Sequence, residues 1–125
     1  MEFLFDNDRP IHVQLVEQLR TAIVSGAVPP GARLPSVREL STQAQVNPNT
    51  MQRALGQLEE DGLIYTERTN GKFVTPSCEK IAAEKTKLAN EKARAFLAEM
   101  AELGCTADEV KACLKTIGGE NKWHF

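Results

Sequence analysis

No run of apolar residues approaches the roughly 18 that a membrane-spanning helix needs. The opening Met1-Glu2-Phe3-Leu4-Phe5-Asp6 is too short and too acidic for a signal peptide. A cytoplasmic protein without a membrane partner is therefore expected. Cysteine is sparse: Cys78, Cys105 and Cys113 are odd in number and lack the paired short spacing of a zinc site. They read as structural or incidental thiols of a reducing compartment, with Cys78, at the start of the second segment, the one placed for a redox or intersubunit role. Histidine is scarcer still, and His12 and His124 stand alone, so no metal or other cofactor is expected. A glycine-rich phosphate loop, a Ser-His-Asp set and a defensible carboxylate pair are all missing, which excludes the common enzyme classes. An excess of one charge is missing too, since 15 basic and 17 acidic residues leave a net charge of −2.

What is present is a strongly punctuated pattern. With 42% hydrophobic residues in 125, the chain can bury one real core and a small second unit whose stability depends on a partner. Ile11, Leu15, Val16, Leu19, Ile23 and Val24 recur on one helical face, predicting a helix from about Pro10 to Ser25 that Gly26 ends. Val28-Pro29-Pro30-Gly31 is a turn. Ser36 and Glu39 stand in the S-x-x-E capping-box arrangement, so a second helix starts at Ser36 with Val37, Leu40 and Ala44 inward. Gln45-Val46-Asn47 turns the chain. Asn47 is a favourable N-cap and Pro48 suits the first helical position, so a third helix begins there with Met51, Ala54, Leu55 and Leu58 inward. Asp61-Gly62 closes it. Leu63-Ile64-Tyr65-Thr66 and Lys72-Phe73-Val74-Thr75 are β-rich, and Asn70-Gly71 between them signals a hairpin.

Past Pro76 the composition turns to lysine, glutamate and alanine. A long helix is predicted over about 77–103, some 40 Å at the usual rise, with Ile81, Leu88, Ala89, Phe96, Met100 and Leu103 on one broad face. Gly104 stops it. Thr106-Ala107-Asp108-Glu109 is a second capping box, opening a short helix over about 106–117 with Val110, Cys113, Leu114 and Ile117 on its face, before Gly118-Gly119. Residues through Trp123 carry no clear assignment, and no internal repeat is visible. The expected fold is mainly α with a small β-hairpin: a winged helix-turn-helix over 1–76, then a two-helix segment over 77–125.

Three stretches resemble the winged helix-turn-helix of the GntR family of bacterial transcription regulators. They are Pro30-Gly31-Ala32-Arg33-Leu34-Pro35-Ser36-Val37-Arg38-Glu39-Leu40, Val46-Asn47-Pro48-Asn49-Thr50, and Leu58-Glu59-Glu60-Asp61-Gly62-Leu63-Ile64. The resemblance covers roughly residues 9 to 76. Most family members carry a large effector-binding domain after the wing, whereas some fifty residues remain here. That is similar to the YtrA-type subfamily, which also matches Asn47-Pro48-Asn49-Thr50 and Gln52-Arg53. The resemblance implies short C-terminal helices that pair two subunits, an association with transporter operons, and DNA contacts at Arg38, Asn49, Thr50, Arg53 and Gly71.

The residues support the same direction on physical grounds. Between Arg33 and Arg53 there are three arginines against the single Glu39. Arg33 and Arg38 can reach phosphates, which orient a protein without reading sequence. Asn49, Thr50, Gln52 and Arg53 point away from the apolar face of the third helix; Asn and Gln match adenine, and Arg matches guanine, by paired hydrogen bonds. Gly71 lets the hairpin tip come close to a backbone, and Arg68 and Lys72 add phosphate or minor-groove contacts. With Ser36 these form the candidate DNA-binding set. Each has a plainer reading: an exposed arginine is commonly a solvated or locally paired charge, Asn47 is a cap rather than a reader, and Asn49 or Gln52 can be cap support or plain surface.

The Glu/Lys alternation from Glu79 to Lys92 reads as a solvated face. Its apolar counterpart is longer than the small head can cover, so a second copy is the expected partner, with Ile81, Leu88, Phe96, Met100, Leu103, Val110, Leu114 and Ile117 as dimerisation residues. The plainer alternative folds both helices back into a monomeric bundle. Two helices can make a small cleft for an unidentified small-molecule effector at a dimer interface, but no cluster of buried polar groups in residues 77–125 marks one. The function read from the sequence is a homodimeric, sequence-specific transcription regulator, a repressor on an inverted-repeat operator in double-stranded DNA. The near-neutral charge keeps a rival open, a winged-helix module that binds protein without specific DNA binding. An enzyme of the kind that follows some related heads would need far more chain.

Overall fold

The computed structural model describes residues 1–125. It contains α1 (Ile11–Val24), α2 (Val37–Ala44), α3 (Pro48–Glu60), β1 (Ile64–Glu67), β2 (Gly71–Val74), α4 (Cys78–Glu102) and α5 (Ala107–Glu120). The chain divides into two compact units, Met1–Lys85 and Thr86–Phe125. No helix is long and apolar enough to cross a membrane.

In the first unit, the apolar stripes named from spacing make one core. Leu15, Leu19 and Ile23 of α1, Leu40 and Ala44 of α2, and Met51, Ala54, Leu55 and Leu58 of α3 are all buried, joined by Leu34, Leu63, Ile64 and Val74. Both helix starts form as their residues dictate. Ser36 Oγ accepts from Glu39 N–H at 3.1 Å while Glu39 Oε1 accepts from Ser36 N–H at 3.3 Å, closing the box on α2. Asn47 Oδ1 accepts from Asn49 N–H at 2.8 Å at the start of α3, with Pro48 next. Between the two helices Gln45 adopts a left-handed conformation at φ 57°, and the carbonyls of Ser41 and Thr42 are taken up by Val46 and Gln45 N–H. Such 6→1 and 5→2 bonds satisfy the last carbonyls of a helix and turn the chain sharply.

The hairpin pairs Ile64 with Val74 through to Glu67 with Gly71, and Tyr65 stacks on Phe73 across it with centroids 5.7 Å apart. A turn closed by Asn70 N–H on Glu67 O joins the strands, and Gly71 at φ +99° brings the chain back, a conformation that other residues adopt only with strain. The segment before α2 adds a third rung: Leu34 N–H donates to Lys72 O at 2.8 Å and Val74 N–H to Ala32 O at 2.9 Å. Arg33 thus stands directly beside β2.

Two polar residues of α1 hold the N-terminal segment. The buried Gln14 side chain accepts from Asp6 N–H and donates to the Asp6 and Arg9 carbonyls, and Gln18 does the same for Leu4 N–H and C=O. Phe3 and Phe5 pack half-buried against the core as a result.

The first unit reaches Lys85, past the boundary expected at residue 76, because the first two turns of α4 pack into it. Ile81 is buried in the head core and so is not on the free apolar face where spacing had placed it. Glu84 Oε1 receives Arg20 Nη1 at 2.8 Å, and the other arm of Arg20, Nη2, reaches Asp61 Oδ2, at the end of α3, at 2.6 Å.

In the second unit, the Thr106 capping box is complete, with Glu109 N–H donated to Oγ1 and Thr106 N–H to Glu109 Oε1. The expected stop at Gly118-Gly119 does not occur. α5 runs on to Glu120 and ends with Lys122 left-handed at φ 61°, its N–H on Gly119 O and that of Trp123 on Gly118 O at 2.7 Å. Gly118 serves packing instead: a Cβ on it would stand 2.5 Å from the Phe125 ring and 3.0 Å from Trp123 O. A hollow of about 250 Å³ opens there, lined by Leu114, Ile117, Gly118, Asn121, Trp123 and Phe125.

Candidate nucleic-acid interface

α3 carries its polar side chains where its buried face requires. Met51, Ala54, Leu55 and Leu58 are inside, so Asn49, Gln52 and Arg53 are exposed and Thr50 is half-exposed on its flank. The first turn of α2 presents Ser36 and Arg38, both exposed. Arg33 enters from the third rung of the hairpin, and its guanidinium lies next to Gly71, where a Cβ would meet Nε at 3.4 Å and Nη2 at 3.5 Å. A hollow of about 280 Å³ between the start of α2 and the hairpin is lined by Arg33, Ser36, Thr66, Arg68, Gly71 and Lys72 among others. Five members of the expected set therefore meet at one place.

The first unit has six arginines, and their pairing differs sharply. Arg9 is bonded to Glu17 and Asp6, and Arg20 to Asp61 and Glu84. Burial by itself would lower the Arg20 pKa, but the hydrogen bonds this side chain donates to Asp61 and Glu84, together with the attraction of their charges, outweigh it and raise the value. Arg33, Arg38, Arg53 and Arg68 have no ion-pair partner in the chain, although the protein has more acids than bases. The four unpaired guanidiniums are those of α2, α3 and the hairpin. Net charge near zero thus coexists with a locally uncompensated cationic rim.

Lys72 is placed differently from its expected role. Its Nζ lies 2.8 Å from Thr66 Oγ1 and 3.6 Å from Glu59 Oε2, and Thr66 Oγ1 donates to Glu59 Oε1 at 2.6 Å. The Thr66 hydroxyl, then Lys72, holds the Glu59 carboxyl below its ordinary value of 4.5, despite some opposing burial. Lys72 therefore tethers the hairpin to the last turn of α3. Its neighbour in the sequence, Gly71, leaves room for the Arg33 guanidinium, and Arg68, in the turn, is exposed and unpaired.

Sequence reasoning passed over Arg20, which links α1, α3 and α4, and Gly56, exposed on the outer side of α3. No group of three His, Cys, Asp or Glu side chains is arranged to hold a metal.

Three helices around one core, an exposed third helix and a hairpin tied to its end define a winged helix-turn-helix regulator. The profile of the bacterial regulatory proteins of the gntR family matches residues 12–74, and the chain belongs to that family. It is 37% identical over 94% of its length to the HTH-type transcriptional regulator YhcF of Bacillus subtilis, covering 97% of that protein. It is 30% identical to the HTH-type transcriptional repressor YtrA of the same organism, over 90% of this chain and 88% of the other. Among solved structures, a GntR family transcriptional regulator from Listeria monocytogenes superposes with a TM-score of 0.86 at 39% identity, over 90% of this chain and 98% of that one. The DNA-binding domain of AraR in complex with operator ORX1 matches 60% of this chain and 96% of its own, with a TM-score of 0.56 and 30% identity. These relatives are named as transcriptional regulators and repressors, not as enzymes.

Proposed function

We propose that the protein is a homodimeric repressor of the YtrA type that works in the cytoplasm by occupying an inverted-repeat operator. One observation carries the DNA reading: Arg33, Arg38, Arg53 and Arg68 are left without partners on the elements that surround the exposed face of α3. In this reading Arg33, Ser36, Arg38 and Arg68 bind phosphates, Asn49, Thr50, Gln52 and Arg53 face base edges and adjoining phosphates, and Gly71 admits the backbone to the hairpin tip. Lys72 acts by fixing the hairpin. The operator-bound AraR domain supports the docking mode, and the name of the YtrA relative supports repression.

The dimer is supported by the second unit, where Phe96, Leu97, Leu103, Ile117, Trp123 and Phe125 are exposed, Leu103 at 76%. Such a density of exposed apolar side chains marks an interaction surface. Leu88, Met100 and Leu114 of the same unit are half-buried and Val110 is buried. A twofold dimer gives two copies of α3 and hence two half-sites near one helical turn apart, or a multiple.

The test is to incubate the full chain with sheared genomic DNA at moderate salt and sequence what is retained. Enrichment of an inverted repeat is the expected result; recovery indistinguishable from input would overturn the DNA reading. Sedimentation of the wild type and of Leu103→Glu addresses the dimer, which fails as a reading if the wild type sediments as a monomer; a dimer in both would remove only Leu103 from the interface.

A further inference from the structure

Gly56 lies inside α3, four residues before its last residue, and is exposed. A Cβ built on it meets nothing within 4 Å. Its backbone is ordinary right-handed helix, so the fold does not require a glycine there, and a mid-helix glycine is less favourable than alanine by roughly 0.5–1 kcal/mol. Nothing within the chain uses the missing side chain. Whatever benefits from it approaches from outside.

The neighbours on the same strip indicate what approaches. At helical spacing the side of α3 opposite Met51, Ala54, Leu55 and Leu58 runs Asn49, Arg53, Gly56, Glu60, with Gln52 alongside. Arg53, about one turn before Gly56, is an unpaired cation, and Glu60, about one turn after it, is an exposed anion with no ion-pair partner. A polyanion attracted at Arg53 is repelled at Glu60, and between them the helix is at its narrowest. We propose that Gly56 is where a sugar-phosphate strand of the bound duplex crosses α3, with the missing side chain admitting it close to the helix axis and Glu60 setting its limit. This rests on the DNA reading above and adds to it a contact that carries no sequence information: it fixes how deeply α3 seats, and thereby which of Asn49, Gln52 and Arg53 reach base edges.

The decisive variant is Gly56→Ala, because helix propensity makes it more stable than the wild type. Binding of full-length wild type, Gly56→Ala, Gly56→Leu and Glu60→Gln is measured on two duplexes, one recovered from the genomic capture and one of random sequence, alongside thermal denaturation. Gly56→Ala is expected to raise the melting temperature by a few degrees and weaken binding to both duplexes roughly tenfold, with Gly56→Leu weaker still, as for forcing added methyls into a filled contact. Glu60→Gln is expected to tighten both. Loss of binding in a protein that melts higher is not a folding defect. Wild-type affinity in both glycine variants would overturn the proposal while leaving the DNA reading intact, and a loss confined to the recovered duplex would also overturn it, placing Gly56 at a base edge. If the wild type retains no DNA at all, the proposal falls together with the reading beneath it.

Discussion

Replacing Arg20 by methionine keeps the aliphatic stem, which packs between helices, and removes only the guanidinium. Two charge-assisted hydrogen bonds disappear, at 2.6 Å to Asp61 and 2.8 Å to Glu84. Bonds to charged groups contribute about 1.5–3 kcal/mol each. The Arg20 side chain is only 14% exposed, but Asp61 at 31% and Glu84 at 17% retain access to water, and Gln57 still donates to Asp61 Oδ1 at 3.1 Å. The orphaned carboxylates are therefore partly rehydrated, and the net loss falls below the sum of the two bonds, at about 2 kcal/mol in total. For a unit of this size that lowers the melting temperature by roughly 10 °C. Thermal denaturation followed by far-ultraviolet circular dichroism reads it, and a cycle with Glu84→Gln isolates the second arm, with an expected coupling of about 1 kcal/mol. A shift of less than about 0.5 kcal/mol would refute the reasoning, since that is the behaviour of an ordinary surface pair.

Asn47→Ala removes the cap on α3 and is expected to destabilise the first unit by about 1 kcal/mol in a urea titration, against little change for Asn47→Asp. Glu59 titrates below its ordinary value in the folded protein, so its contribution is present above pH 4.5 and is lost as the pH falls through the lowered value. With 38% of the side chain exposed the contribution is small, about 0.5 kcal/mol, and Glu59→Gln should flatten the acid side of the stability curve by that amount; an unchanged slope would show the Thr66 bond to be inconsequential. Gly118→Ala should displace Phe125 and the Trp123 carbonyl from α5 and shift the emission of Trp123, the single tryptophan, to longer wavelength. An unaltered spectrum would mean that the C-terminal residues accommodate the methyl without moving.

Where a local rule decided the structure, the sequence was transparent. Ser36-x-x-Glu39, Asn47-Pro48 and Thr106-x-x-Glu109 each satisfy helix-start donors with their own side chains, and all three helices begin there. The outer strip of α3 followed from its inner one, because 3.6 residues per turn leave no freedom once Met51, Ala54, Leu55 and Leu58 are inside. The failures involve partners distant in sequence. Gln14 and Gln18 interrupt an apolar stripe and look like surface, yet they bind the backbone of Leu4 and Asp6. Lys72 looked like a free cation because Glu59 lies on another element, and the twist of the hairpin decides that they meet. Ile81 fits the stripe of α4 equally well whether it faces the head core or solvent. Gly118-Gly119 resembles a helix stop, and only the return of Phe125 over α5 shows that Gly118 makes room.

The rung that joins Ala32 and Leu34 to β2 has a thermodynamic meaning. Ala32 and Leu34, on either side of Arg33, are hydrogen-bonded to β2 and lead directly into the start of α2, so the groups offered to a duplex are already ordered by the chain's own bonds. Little conformational entropy is then left to lose on association. The heat capacity change of binding should accordingly reflect only the surface covered at the contact, without the large additional term that accompanies a segment folding onto its partner.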